Sequence, residues 1–152
     1  MSPVDVRPVG SRADLTRFIR LPWSIYRNSP QWVPPLIFER KQFLNRKKNP
    51  FFEHAEAELF IAWRGRKPVG RISAQIDRDF NEHQGHDWGM FGFFECEDDH
   101  EAAGALHLHD RPGLALHQPE IRAQIVLGGG AQQLEPLVIA GLLEEVDCRC
   151  GH

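Results

Sequence analysis

Long apolar runs are missing from this chain of 152 residues. Nothing in it approaches the roughly 18 consecutive apolar residues of a membrane-spanning helix, so none is expected. The first residues, MSPVDVRPVG, have neither the charged n-region nor the apolar h-region of a secretory signal. A cytoplasmic protein with no membrane partner is the resulting expectation. Cysteine is scarce: there are three, Cys96, Cys148 and Cys150. An odd number without a secretory signal argues against a disulfide framework. Cys148-Arg149-Cys150-Gly151-His152 offers two thiolates and an imidazole, but a structural zinc site takes four ligands and there is no second cysteine pair, so no metal is expected. G-x-S-x-G, H-E-x-x-H and P-loop patterns are absent. So are internal repeats, low-complexity tracts and the interleaved aromatic and basic residues of an RNA-binding sheet, so nucleic acid is not an expected partner.

What is present suits one soluble domain with a real core: 41% hydrophobic and 26% charged residues. The net charge of -3 is unevenly placed. Residues 1–50 carry ten Lys/Arg and three Asp/Glu, while residues 51–152 carry eight and eighteen. The basic half suits an anionic partner, a phosphate-bearing ligand or nucleic acid. The simpler expectation is that the two halves neutralise each other in the fold.

Val4–Val9 alternates and reads as a strand, at an edge because of Pro8. Ser11 with Asp14 three residues on is a variant capping box, and Leu15, Phe18 and Ile19 share a face, so a helix follows. Leu21-Pro22-Trp23 is expected to end or kink it. Pro34-Pro35 is expected to open a second helix. Arg46–Pro50 reads as a basic loop. Leu59–Trp63 and Val69–Ile76 flank turn chemistry at Arg64–Lys67 and predict an antiparallel hairpin. An acidic loop is expected over Asp77–Asp87. Gly89–Phe94 is a glycine-interrupted strand, and glycine in a strand admits another backbone or a ligand. It feeds a helix start at Asp98/Asp99, a combination that suits an anion or cofactor cradle. Pro112 and Gly113 stop that helix. Ile121–Leu127 has strand character, but Pro112, Gly113, Pro119 and Gly128–Gly130 oppose regular structure over 107–135.

LPWSIYRNSPQWVPPL (Leu21–Leu36), NPFFEHAEAELFIA (Asn49–Ala62), PVGRISAQID (Pro68–Asp77) and FGFFECEDD (Phe91–Asp99) together resemble a group of bacterial proteins with a GNAT-type N-acetyltransferase fold. The resemblance covers roughly residues 4–106 and stops near Leu106. It implies an α/β fold: a partial GNAT-like acyltransferase architecture, an antiparallel sheet with N-terminal helices, and an atypical or truncated C-terminal half. The organisation it implies is a GNAT-like portion over 1–106 and an atypical tail over 107–152.

The function implied is acyl-CoA-dependent N-acyl transfer, with acetyl-CoA as cosubstrate and an unidentified amine as acceptor, or a relative that is incomplete and inactive. The alternative is a non-catalytic binding module using Trp23, Tyr26, Trp32 and the basic first half. In a GNAT-type enzyme, backbone N–H groups of a splayed strand hold the pantetheine and polarise the thioester, a helix N-terminus takes the pyrophosphate, and a carboxylate or water removes the amine proton. On this chain the strand backbone falls at Phe91, Gly92, Phe93 and Phe94. The general base falls at Glu95, for which the plainer reading is an exposed strand-end carboxylate. The usual phosphate signature, Gln/Arg-x-x-Gly-x-Gly/Ala, is absent. Glu95–His100 stands in its place, acidic and without glycine, which opposes a pyrophosphate. His54, His83 and His86 read as surface residues. His107, His109 and His117 have metal-like spacing without an acidic partner. Cys96, beside two acids, has no feature of an activated nucleophile.

Overall fold

The computed structural model describes residues 1–85, 87–109 and 122–125. Five strands form one sheet in the order β1-β2-β3-β4-β5: β1 (Val4–Pro8), β2 (Ala55–Arg64), β3 (Lys67–Asp77), β4 (Trp88–Cys96) and β5 (Arg122–Ile125). The first four pair antiparallel and β5 joins β4 in parallel. A parallel neighbour needs a crossover, and α4 (His100–His109) lies within it. The expected α/β class, hairpin and third antiparallel strand are all present. β5 extends the expected antiparallel sheet by a parallel strand, and it lies in the segment past Leu106.

The β2–β3 turn is Gly65-Arg66, with Gly65 at φ +63°. A two-residue hairpin loop needs positive φ at a central position, which glycine supplies without strain. Ser11 caps α1 (Arg12–Ile25) by accepting from the Asp14 amide. The helix does not end at Leu21–Trp23: it runs through Pro22 to Ile25. Pro22 leaves the Phe18 carbonyl without its helical donor, and the Arg71 guanidinium donates to that oxygen at 2.7 Å instead. The second helix, α2 (Ile37–Phe43), starts after Pro34-Pro35 rather than on them.

The expected acidic loop contains a helix, α3 (Arg78–Gln84). Asp77 caps its start and Gly85, at φ +64°, ends it in the left-handed region. Read for composition, DRDFNEHQG is polar; read for caps, Asp77 and Gly85 bracket two turns of helix.

Successive strand residues face opposite sides. Phe60, Ala62, Ile72 and Ala74 pack with Ala102 and Leu106 of α4. Arg71 faces the other side, toward Phe18 of α1. The sheet therefore lies between α4 and α1. Gly70 marks how close α4 comes: a Cβ there would sit 2.7 Å from Leu106 Cδ1 and 2.9 Å from Cys96 Cβ. Asp99 caps α4, accepting from the amides of Glu101 and Ala102 at 3.0 and 3.2 Å.

Among the described residues the basic first half and the acidic second half share one ion pair, Arg46–Glu58. The acidic step is met from within the second half: Glu95 by Arg71, Glu97 by Lys67, and Asp99 with Glu101 by Arg64.

Candidate functional site

The pairing of β3 with β4 contains one irregularity. Ser73 faces Gly92 and Arg71 faces Glu95, so Ile72 alone spans Phe93 and Phe94. One extra residue on β4 is a β-bulge, which bends a strand and re-aims its side chains. Phe93 takes φ +53°, the only non-glycine residue with positive φ among those described. Such a conformation costs on the order of 1–3 kcal/mol and persists where the surroundings over-determine it. The Phe93 ring is held edge-on by Phe18 and Phe43, at 5.7 and 6.0 Å between centroids. The guanidinium groups of Arg71 and Arg40 lie 5.3 and 5.9 Å from its centroid.

The bulge also decides where Glu95 points. With an unbroken two-residue period, Glu95 would face opposite to Gly92. The extra residue returns it to the Arg71 side, where its Oε2 lies 2.7 Å from Arg71 Nη2 and accepts from Nε at 2.9 Å. Arg71 is 6% exposed and bridges this carboxylate to the Phe18 carbonyl. Burial pushes the Glu95 carboxyl above its ordinary value, against the opposing pull of Arg71 and Arg40. Burial likewise lowers the Arg71 guanidinium, with Glu95 opposing. The result is a half-buried carboxylate with a raised proton affinity, held beside a fixed cation and an aromatic wall. The plainer expectation of an exposed strand-end carboxylate does not hold, because the Glu95 side chain is only 23% exposed and paired.

The other residues read as a donor strand divide between faces. Phe91 packs against the α4 core. Gly92 faces the Arg71 side, where a Cβ would lie 2.9 Å from Gln75 Nε2 and 3.2 Å from Ser73 Oγ. Phe93 joins the Arg71 cluster, and Phe94 is 39% exposed. What they share is a backbone, not a side-chain surface. The described β4–β5 ladder runs from Trp88↔Arg122 to Phe91↔Ile125.

Sequence reasoning missed Arg71, Arg40 and Phe18. The available signal was Arg71, Ser73 and Gln75, a polar set at period two inside an otherwise apolar strand. His54 is not a plain surface group: its Nδ1 lies 3.0 Å from Asp77 Oδ1, the oxygen that also caps α3. Trp23, Tyr26 and Trp32 pack on one another, Trp32 at 5.4 Å from Trp23 and 5.3 Å from Tyr26. Among the described residues no group of three or more His, Cys, Asp or Glu is placed to hold a metal. His86, His117, Cys148, Cys150 and His152 lie outside the described residues. Cys96 is a buried free thiol. A separate polar concavity of about 370 Å³ is lined by Arg7, Asp14, Arg17, Trp63 and Arg66 and includes no member of the Arg71–Glu95 cluster.

Compared with solved structures, the chain is similar to a tandem GNAT protein from the clavulanic acid biosynthesis pathway. The TM-score is 0.60 at 15% identity, over 93% of this chain and 43% of that one. The fold is GNAT-like. In sequence, the chain is 47% identical over 97 residues to the bacterial ceramide synthase of Caulobacter vibrioides, covering 63% of this chain and 25% of that protein. It is 40% identical over 101 residues to protein YghO of Escherichia coli, covering 66% and 26%. The chain thus spans about a quarter of the length of these curated relatives. No family model matches it. Within the GNAT-like fold, β4 with its bulge and the start of α4 are the elements that the sequence resemblance linked to the acyl donor. No helix among the described residues is long and apolar enough to cross a membrane.

Proposed function

We propose that this chain is a GNAT-type unit for N-acyl transfer from an acyl thioester to an amine. The bulged strand β4 carries the donor, and Glu95 acts as general base. The observation that carries this reading is the bulge, which re-aims β4 at Phe93 and turns Glu95 to the Arg71 side. On this reading the backbone amides of the bulged stretch take the pantetheine arm and the thioester oxygen, where they stabilise developing negative charge. A carboxylate with raised proton affinity is better matched to an amine proton than an ordinary one. The ceramide synthase relative supports N-acyl rather than O-acyl transfer, since a ceramide is an amide.

The pyrophosphate end of the donor is the weak part of this site. The first amides of α4 are taken by Asp99, whose carboxyl is held below its ordinary range chiefly by Arg64. Asp98 and Glu101 add negative charge beside it. Acetyl-CoA is therefore expected to bind this chain more weakly than micromolar. Calorimetric titration tests the reading. Weak binding that is abolished by Gly92→Val supports it. Micromolar binding supports the GNAT reading and removes the weak diphosphate end. No heat with any acyl thioester favours a non-catalytic interaction module, for which the exposed apolar residues around α2 are the supporting observation.

A further inference from the structure

We propose that the segment from Val33 to Lys48, which contains α2, is a docking surface for an anionic lipid bilayer. Four large apolar side chains there face solvent: Val33, Leu36, Phe38 and Phe43 are 83%, 65%, 70% and 52% exposed. A helix on a globular protein normally buries one apolar stripe. α2 buries none of its residues. Single exposed apolar residues are ordinary, but a cluster within one short segment marks an interaction site.

Charge identifies the occupant. The same segment, VPPLIFERKQFLNRKK, carries Arg40, Lys41, Arg46, Lys47 and Lys48 against Glu39 alone. Among the described ion pairs a carboxylate meets only one of these cations, Arg46, through Glu58. Exposed rings beside uncompensated ammonium groups match the boundary of an anionic bilayer: the apolar groups enter among the acyl chains and the cations meet headgroup phosphates. A second copy of this chain would bring the same positive charge to the same patch, which opposes self-association. No helix among the described residues is long and apolar enough to cross a membrane, which says nothing of a surface that lies on lipid. The patch also adjoins the candidate site, because Arg40 and Phe43 of α2 both touch the Phe93 ring.

Cosedimentation of the 152-residue chain with vesicles tests this. Phosphatidylcholine mixed with phosphatidylglycerol at about two to one is compared with phosphatidylcholine alone. Binding to the mixed vesicles, weakened by salt, is expected. Lys41→Glu/Lys47→Glu/Lys48→Glu should lower partitioning about 100-fold or more. Leu36→Ser/Phe38→Ser should lower it about tenfold or more. Both variants change exposed side chains and should keep the parent melting temperature. No binding, equal binding to neutral vesicles, or binding indifferent to both variants overturns the proposal. A concentration-dependent dimer that Leu36→Ser/Phe38→Ser dissolves would also overturn it, assigning the patch to a second copy.

Discussion

Arg71 is the residue on which the candidate site turns, and its placement traces to a proline on another element. Pro22 has no N–H to give the Phe18 carbonyl, and Arg71 supplies one at 2.7 Å while holding Glu95 with its remaining donors. Arg71→Met should therefore cost about 3–5 kcal/mol, since it strands a half-buried carboxylate and an orphaned carbonyl together. In a Pro22→Ala background the new amide returns the Phe18 carbonyl to the helix. The Arg71→Met penalty should then fall by about 1 kcal/mol, measurable as a coupling in urea unfolding. Equal penalties in both backgrounds would show that the carbonyl contact contributes nothing. Glu95 makes a second, pH-dependent prediction. Its folded carboxyl is raised above the ordinary value, chiefly by burial. The native state therefore binds its proton more tightly than the unfolded chain. Stability from this group falls as pH climbs from the ordinary carboxylate value through the raised one. Glu95→Gln should flatten that slope in pH-dependent melting. If Glu95 is the base, the acid limb of any acyl-transfer rate profile should lie above the ordinary carboxylate range and vanish in the same variant.

At the level of elements, what could be read in advance was whatever local chemistry dictates. Ser11 and Asp14 announced α1, Gly65 announced the hairpin turn, and the alternation of Val69–Ile76 announced β3. What could not be read was set between elements. Pro22 reads as a terminator until Arg71 is known to lie beneath it. The β4 bulge has no signature in GMFGFFE, because which residue is extra depends on the register with β3. Glu95 was legible as a carboxylate at a strand end, but its burial and its partner were not. Gly70 is the clearest instance: in sequence it is one more glycine in PVGRI, and in space it is the floor on which Leu106 rests. Gly70→Ala should destabilise by about 1–3 kcal/mol, the usual cost of overfilling a packed contact. The loss should appear as faster amide exchange in α4 before the α1 side is affected. Uniform loss across both faces would mean that α4 is not a separable layer.

For the whole molecule, the distribution of charge and the GNAT-like fold pull the proposed donor site in different directions. The fold brings the end of β4 to the start of α4, where helix amides favour an anion. The sequence fills that place with Glu97, Asp98, Asp99 and Glu101, and Asp99 both caps α4 and pairs with Arg64 at 2.5 Å. The cations that could attract a diphosphate are concentrated instead before residue 50, and among the described ion pairs only Arg46 reaches across to the acidic half. A donor held by this chain is then gripped along its pantetheine arm and gains little from the nucleotide. S-acetyl-pantetheine and acetyl-CoA should accordingly bind within about threefold of each other, or under 1 kcal/mol. The preference should shift toward acetyl-CoA as salt is added, because screening weakens the repulsion between the acidic step and the diphosphate. Competition titrations at low and high ionic strength measure both effects. An acetyl-CoA advantage greater than about tenfold at low salt would show that the diphosphate finds cations after all, and that the acidic step at α4 does not face it.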